Sequence, residues 1–398
     1  MKSLCINWLL LQQVGPYNDT KMAFSKGLNI VCGPNGIGKT TILEAIISPF
    51  GGIFEAVKLK KNASFIGGDG RIVLNIEAEG NNRESEAGIT SSDPSNDEKI
   101  AFFSDYSSSI INIRTRREIT YAKSTSINSD PTLSDFAIGS RNIVGTDSTE
   151  IKGWLANRYL FSAAGEQGWT DSDKANYALA VNLFSILDHT VKLHNVNHKS
   201  FDVLVETPDG IIPFEWLSSG FRSTYALLFG VIKEIEFRQL NISASAFTGV
   251  ILIDEIDLHL HPDWQRKIAR VLKETFPLAQ IIATTHSPHV IQSVDVSEVI
   301  ALWRSEPGRI GVRTLPDSPY GFSGWTVEEV LTDVMGMQQV ETQVYSDAVK
   351  AFDDAVESED GRLVRESLFR LHLMLHPTSF KRTLFDLRAA PFIGANLD

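Results

Sequence analysis

The chain has few cysteines and no long apolar stretch. Its 398 residues include two cysteines, Cys5 and Cys32, and both lie in apolar runs that are typical of strands. A reduced thiol in such a place is a small buried apolar side chain, so a disulfide-rich secreted fold is excluded. No apolar run approaches the roughly 20 residues that span a bilayer. We therefore expect a cytoplasmic protein with no membrane contact of its own.

The chain also lacks positive net charge. It carries 37 Lys and Arg residues against 49 Asp and Glu residues, a formal charge of −12. A surface with this balance repels nucleic acid as a whole. Two short basic clusters remain as candidates for contact with nucleic acid, and a solvated face is the alternative for each. They are Arg114, Arg116 and Arg117 in one cluster, and Lys58, Lys60 and Lys61 in the other.

No internal repeat and no pattern long enough for a coiled-coil arm is visible. The length suggests two to three domains, or one large domain with insertions. Composition and hydrophobic periodicity divide the chain into five segments. They are a strand-rich segment 1–50, an antiparallel β lobe 51–149, a helical insertion 150–200, a strand and helix segment 201–315 and a helical extension 316–398.

Three apolar runs predict buried strands of a partly parallel sheet. They are Leu28–Cys32, Val250–Ile253 and Gln280–Thr284. A helix predicted at 263–276 joins the last two strands as a crossover, which requires parallel pairing. In the β lobe, a strand is predicted at 110–121.

Weaker patterns predict further elements. Hairpins are predicted around Pro208-Asp209-Gly210 and around Pro307-Gly308, because proline followed closely by glycine favours a tight turn. Thr326 and Glu329 have the spacing of a capping box at a helix start.

The segment Gly33-Pro34-Asn35-Gly36-Ile37-Gly38-Lys39-Thr40 matches the P-loop pattern between a predicted strand and a predicted helix. Its glycines let backbone N–H groups surround phosphates, and the helix N-terminus adds partial positive charge. Lys39 is expected to reach the β and γ phosphates, and the Thr40 hydroxyl is expected to bind Mg²⁺. ATP and Mg²⁺ are therefore the expected cofactors. The nucleotide-binding candidates here are Gly33, Asn35, Gly36, Gly38, Lys39, Thr40 and Thr41.

Two further strand ends carry candidate catalytic residues. The strand Val250–Ile253 is followed by Asp254 and Glu255. Asp254 is expected to hold Mg²⁺ together with Thr40. Glu255 is expected to polarise the attacking water. The alternative is two solvated acids at a strand end. His286 follows the other strand, where it can sense the γ-phosphate or serve as a structural histidine. Lys39, Glu255 and His286 are thus the catalytic candidates.

Together with Leu217-Ser218-Ser219-Gly220 before a helix, these elements resemble the ABC-type ATPases of the SMC, RecF and OLD group. The segment from Asp254 to Pro262, with Trp264, resembles the AAA-type ABC ATPases of bacterial anti-phage operons, and among them the Septu and retron ATPase subunits. The resemblance covers roughly 1–50 and 200–295. It implies an α/β fold: an ABC-type P-loop ATPase head with a mixed parallel and antiparallel sheet, an antiparallel β lobe, a short helical insertion and a helical C-terminal extension.

The resemblance also implies roles for residues and partners. Ser218, Ser219 and Gly220 of one protomer would complete the ATP site of another, in a homo-oligomer of head-to-tail ATPase pairs. Glu255 would be the catalytic glutamate and His286 the switch histidine, and the partner would be a separate HNH-type nuclease. The signature departs from that of many relatives at Ser219 and Phe221, which implies slow hydrolysis. Gln167 is one candidate for the Q-loop glutamine.

The alternatives belong to other classes of ATPase. After Ser293 the sequence has no Asp-x-Asp motif, no HNH-like pair of histidines and no second nucleotide motif, so we expect an effector encoded elsewhere. A DNA-repair ATPase of the SMC or RecF type is one alternative. The nucleotide-binding subunit of a membrane transporter is another, although its signature would read closer to Leu-Ser-Gly-Gly-Gln.

Overall fold

The structure is a computed structural model that describes residues 2–51, 58–93, 95, 98–123, 126, 128–163, 169–306, 309–338 and 341–393. The chain divides into two compact units, Met1–Gly336 and Met337–Asp398. Its strands are β1 (Leu4–Val14), β2 (Tyr17–Ala23), β3 (Leu28–Cys32), β4 (Gly70–Ala78), β5 (Asn81–Ile89), β6 (Ile110–Ile113), β7 (Lys192–Val196), β8 (Val203–Thr207), β9 (Gly210–Pro213), β10 (Val250–Ile253), β11 (Gln280–Thr284), β12 (Val299–Glu306) and β13 (Arg309–Val312). Its helices are α1 (Lys39–Ile47), α2 (Asp135–Val144), α3 (Ile151–Ala163), α4 (Asp171–Leu187), α5 (Ser219–Phe237), α6 (Pro262–Thr275), α7 (Pro288–Gln292), α8 (Val327–Glu329), α9 (Gln343–Glu357), α10 (Gly361–Met374) and α11 (Phe380–Ile393).

A six-stranded mixed sheet lies at the centre of the first unit, with the strand order β13-β12-β3-β11-β10-β6. The strands from β12 to β6 run parallel, and β13 pairs antiparallel at the edge. The aliphatic strands β3, β10 and β11 are buried along their whole length, as expected for parallel strands covered on both faces. The crossover from β10 through α6 to β11 is confirmed.

The central sheet separates two hydrophobic cores. Along β10, Ile251 and Ile253 enter one core with α5, while Val250 and Leu252 enter the other with α1. This alternation follows from the two-residue period of a strand. The sheet is therefore covered on both faces.

Residues 51–149 do not form a lobe of their own among the described residues. β4 and β5 pair with β1 in a four-stranded antiparallel sheet of order β2-β1-β4-β5, so the lobe includes the start of the chain. The strand predicted at 110–121 spans only Ile110–Ile113, and it joins the central sheet parallel to β10. Pairing between segments 140 residues apart leaves no local sequence pattern. The assignment of the strand predicted at 110–121 to the β lobe was wrong for this reason.

The segment 150–200 is helical in its first part only. α3 and α4 supply the helices, and the segment then continues as β7 of a three-stranded antiparallel sheet with β8 and β9. The turn at Pro208-Asp209-Gly210 joins β8 to β9 as predicted. The turn predicted at Pro307 and Gly308 lies outside the described residues, although the strands β12 and β13 on either side pair antiparallel.

Helix α5 is almost wholly buried behind the central sheet, and it carries charge into the core. Lys233 and Glu234 are fully buried, and Glu234 accepts from Arg141 and Arg238 while Lys233 pairs with Glu150. These cations hold the pKa of Glu234 at about 2 despite the opposing effect of burial. Breaking such a buried network costs several kcal/mol, roughly 3 to 5, so α5 is held firmly in place.

The last part of the chain contains the helices α8 to α11 among the described residues. α8 begins with the predicted capping box, in which Thr326 accepts from the Glu329 backbone and Glu329 accepts in return. The second unit contains α9, α10 and α11 around a small core with Phe352, Leu371 and Phe385 at its centre. None of the helices in the described part of the chain has the length and apolar character needed to cross a bilayer.

Candidate functional site

Four polar segments meet at the carboxyl edge of the central sheet. The P-loop follows β3, Asp254 and Glu255 follow β10, His286 lies just past β11, and an arginine-rich loop follows β6. In a parallel sheet these strand ends share one edge, which is where ligands bind. The structure therefore brings together residues that lie more than 200 positions apart.

The P-loop adopts a conformation that needs glycine at two positions. Gly33 has φ +146° and Gly38 has φ +97°. A Cβ at Gly38 would lie 2.6 Å from Pro16 Cγ, and a Cβ at Gly33 would lie 2.7 Å from the carbonyl oxygen of Leu302. Both backbone conformation and close packing therefore exclude a side chain. Between them, Asn35 and Gly36 are exposed at the tip of the loop.

Lys39 begins α1 and is only 6% exposed. Its ammonium donates to the carbonyl oxygens of Gly33 at 2.8 Å and Pro34 at 3.1 Å, so it lies inside the curve of the loop. Burial lowers the pKa of Lys39, while Asp254 and Glu255 act in the opposite direction. The site thus holds a buried cation opposite a group of carboxylates.

Thr40 and Asp254 face each other across the site. The Thr40 hydroxyl lies 3.3 Å from both carboxylate oxygens of Asp254. These are the hard oxygen ligands that Mg²⁺ takes, so the pair fits such an ion. The side chain of Thr41, by contrast, packs beside Gly15. A Cβ added to Gly15 would lie 3.2 Å from Thr41 Cγ2.

Thr284 holds the two acids that follow β10. Its hydroxyl donates to Asp254 Oδ1 at 2.7 Å and accepts from the backbone N–H of Glu255 at 2.8 Å. Glu255 is half-buried and has a left-handed backbone with φ +51°, which is uncommon for a residue with a side chain. The Thr284 hydroxyl was not singled out by the sequence, because a threonine at the end of a β strand is ordinary.

His286 is exposed and is fixed through its backbone. Asp257 Oδ1 accepts from the His286 N–H at 3.2 Å and from the Thr285 hydroxyl at 2.6 Å. Partial burial lowers the pKa of His286, and the nearby Lys39 ammonium adds to this effect. The imidazole is therefore neutral at pH 7 and can donate one N–H to an anion.

The segment Ser218 to Gly220 lies at the N-terminus of α5, away from the P-loop. It lines an open groove of about 610 Å³ together with His259 and Trp264, and no P-loop residue lines this groove. The Ser218 side chain does not cap α5, so the first N–H groups of the helix are not used by it. Phe221 packs edge-to-face on Trp264 with ring centroids 4.2 Å apart, which anchors the segment to α6.

The cluster of three arginines is not a basic surface patch. Arg117 is 4% exposed and donates to the backbone carbonyls of Asp254 and Glu255. Arg114 pairs with Glu44 at 3.3 Å, and Arg116 is exposed. Neither interpretation from the sequence, a solvated face or a contact for nucleic acid, describes Arg117.

The other candidates from the sequence are less clear. In the lysine cluster Lys58 is exposed, and Lys61 donates to the carbonyl of Gly67 at 2.8 Å. Gln167 lies outside the described residues. Within the described ranges no group of three or more His, Cys, Asp or Glu side chains is placed to hold a metal ion.

Comparison with known proteins gives a family and several relatives. Residues 28–292 match the family described as "AAA domain, putative AbiEii toxin, Type IV TA system". The chain is 38% identical to Septu protein PtuA of Bacillus thuringiensis over 394 residues, which is 98% of each chain. It is also 33% identical over 132 residues to the retron Ec83 probable ATPase of Escherichia coli, covering 32% of this chain and 23% of the relative.

A solved structure is similar as well. The SMC head bound to the C-terminal winged-helix domain of ScpA matches with a TM-score of 0.47 and 16% identity, covering 78% of this chain and 98% of the other.

Proposed function

The chain belongs to the AAA-domain ATPase family that includes Septu protein PtuA, and from this premise we propose that it binds and hydrolyses ATP with Mg²⁺ at the site around Lys39. The observation that carries the proposal is the contact of Thr40 with Asp254 at 3.3 Å, beside the Lys39 ammonium. A cation, a hydroxyl and a carboxylate brought together from separate segments are what a nucleotide triphosphate with its metal ion requires.

Each residue has a specific task in this proposal. Backbone N–H groups of Gly36, Gly38 and Lys39 surround the phosphates, and the Lys39 ammonium leaves the loop carbonyls to contact the β and γ phosphates. Thr40 and Asp254 hold Mg²⁺, which neutralises the charge that develops on the phosphates. These interactions account for binding.

Hydrolysis needs a water molecule and a base to orient it. Glu255 carries a half-buried carboxylate one residue past Asp254, and its backbone is fixed by Thr284. A carboxylate held in this way can polarise the attacking water. The neutral imidazole of His286 donates to the γ-phosphate, so that it responds to whether the phosphate is present.

We propose in addition that two heads pair head to tail, so that Ser218, Ser219 and Gly220 of one protomer complete the ATP site of the other. The support is that this segment lines a groove without P-loop residues and that Ser218 leaves the first N–H groups of α5 uncapped. The N-terminus of this 19-residue helix attracts anions. A γ-phosphate presented by a second protomer matches that charge.

Mixing two inactive variants should restore activity if the sites are composite. We expect Lys39→Ala and Ser218→Asp to be inactive alone, because one loses the phosphate-binding cation and the other places a carboxylate against the γ-phosphate. In a mixed pair one site carries both defects and the other carries none. An equal mixture with random pairing should therefore reach about a quarter of the wild-type rate of ATP turnover.

The choice of Ser218 keeps this experiment free of folding defects. Asp and Asn are both favourable at a helix N-cap, so Ser218→Asn is a matched variant that lacks the charge and should lose less activity than Ser218→Asp. Gly220 is less suitable, because a Cβ there would lie 3.0 Å from the His259 carbonyl of the same protomer. If mixed pairs form, as shown by mass spectrometry, and turnover stays at the level of the single variants, the composite-site proposal is wrong.

The nucleotide state of the paired heads is proposed to control a separately encoded HNH-type nuclease in anti-phage defence. The support is the similarity over the whole chain to a protein of the Septu group. The test is to co-express the chain with a candidate HNH-type nuclease and to plate phage on cells that carry both genes or either alone. Protection should need both genes, and protection by this chain alone would contradict the proposal.

A further inference from the structure

The loop after β6 reaches the catalytic edge of the sheet, and we call residues 114–119 the arginine loop. β6 pairs with β10 in parallel register, with Ile113 opposite Ile253. The residues that follow the two strands are therefore neighbours: Asp254 donates its backbone N–H to the carbonyl of Ile113 at 2.9 Å. The arginine loop begins directly beside the acids that follow β10.

Arg117 is buried beneath these acids and binds their backbone rather than their carboxylates. Its Nη2 donates to the carbonyl of Asp254 at 2.9 Å and to the carbonyl of Glu255. Within the described part of the chain its Nε has no hydrogen-bond partner. Burial lowers the pKa of Arg117 to about 10, and the charges of Asp254, Asp257 and Glu255 oppose this shift. The guanidinium therefore remains charged at pH 7.

Glu255 needs external support because its backbone is strained. A left-handed conformation at a residue with a side chain costs of the order of 1 kcal/mol and persists only where neighbours hold it. Here both peptide groups of Glu255 are held. Thr284 accepts from its N–H at 2.8 Å, and its carbonyl accepts from Arg117 and from the Leu258 N–H at 3.0 Å. Loss of the Arg117 bond leaves the carbonyl with the bond from Leu258, and the backbone can then relax more easily to negative φ and turn the carboxylate away.

The arginine loop is also anchored to the helices α1 and α5. Arg114 pairs with Glu44 of α1 at 3.3 Å, and Arg222 of α5 donates to the carbonyl of Ile119 at 2.8 Å. Arg117 is thus supported on both sides within the first unit. Its position is fixed by the same helices that carry Lys39 and Ser219.

We propose that Arg117 is a positioning residue that holds Glu255 in its left-handed conformation and so sets the rate of hydrolysis without contributing to nucleotide affinity. The inference rests on the proposed function of the site. It differs from the two interpretations that the sequence offers for this arginine, because Arg117 acts on the protein backbone and not on a phosphate.

The test compares Arg117→Met with wild type. Methionine has a similar length and no charge or donor, so it removes the two hydrogen bonds and keeps most of the packing. We expect kcat to fall about 10- to 100-fold, because a misplacement of a catalytic group by about 1 Å can cost roughly 100-fold. The KM for ATP with Mg²⁺ and the ATP affinity measured in EDTA should stay within about threefold of wild type. Arg117→Lys, which keeps one donor, should recover part of the rate.

Arg238 offers a matched control at the opposite end of the same strand. It is 6% exposed and donates to the backbone carbonyls of Ser107 and Ile110, so it is a buried arginine that binds carbonyls away from the site. Arg238→Lys and Arg117→Lys should both lower the melting temperature. Only Arg117→Lys should lower kcat, and only Arg117→Lys should speed hydrogen exchange of the amides at 255–258 measured without nucleotide.

The outcomes separate this inference from the proposed function. If wild type does not hydrolyse ATP, the proposed hydrolysis fails, and the exchange measurement alone decides the role of Arg117. If wild type is active and folded Arg117→Met keeps its kcat, the inference is overturned. Equal losses of kcat in Arg117→Lys and Arg238→Lys also overturn it, because they show a structural role only. Should Arg117→Met not fold, Arg117→Lys decides.

Discussion

Replacement of Glu255 by glutamine is expected to lower the rate of ATP turnover by roughly 10²- to 10⁴-fold, because the amide cannot accept a proton from the attacking water. The change keeps the shape of the side chain and the backbone bond from Glu255 to Thr284, which does not involve the carboxylate. ATP affinity should therefore stay near that of wild type. Single-turnover hydrolysis and a nucleotide titration on the same preparation measure the two quantities.

Glu274→Gln is the matched control for this change. Glu274 is an exposed residue of α6 whose carboxylate lies 3.8 Å from Arg270, so the same substitution there removes a surface charge and nothing from the site. Its turnover should equal that of wild type. If Glu255→Gln turns over as fast as Glu274→Gln, another group orients the water and Glu255 loses its assigned role.

Three strands that lie next to the site could be predicted from sequence. β3, β10 and β11 have the predicted bounds, because a buried parallel strand is an uninterrupted apolar run that turn residues end. α6 begins one residue earlier than predicted, at Pro262, which is a favoured first residue of a helix. The family inferred from these motifs is also confirmed.

Sequence reasoning failed where pairing joins distant segments. β6 is four residues long and was assigned to a longer strand of the β lobe, since nothing local shows that it pairs with β10. The consequence reached the site: with β6 misplaced, Arg117 was taken for a surface residue. A buried charge can be recognised only when the elements that enclose it are known.

The sequence named candidate residues of the site but not the hydrogen bonds that connect them. The structure adds Thr284, which joins Asp254 to Glu255, and Asp257, which holds the backbone of His286. These residues act through hydrogen bonds to other protein groups, so no motif marks them. They explain how loops from separate strands keep a fixed geometry.

Replacement of Lys39 by alanine is expected to weaken ATP binding by roughly 100-fold or more. The ammonium is a buried cation at the centre of the loop, and each charge-assisted bond to a phosphate contributes about 1.5 to 3 kcal/mol. Titration with ATP in EDTA isolates this effect from that of the metal ion. Burial lowers the pKa of Lys39, so this lysine loses its charge at a lower pH than an ordinary lysine does. The affinity of the wild type for ATP should therefore begin to fall at a lower alkaline pH.

Lys39→Met separates the charge from the packing of the side chain. Lys39 also donates to the carbonyls of Gly33 and Pro34, so its loss can loosen the P-loop as well as remove the cation. Methionine fills the same space without charge and should bind ATP as weakly as alanine does. If Lys39→Met binds like wild type while Lys39→Ala does not, the side chain supports the loop by its volume. If both variants fold and bind like wild type, the nucleotide does not occupy this loop.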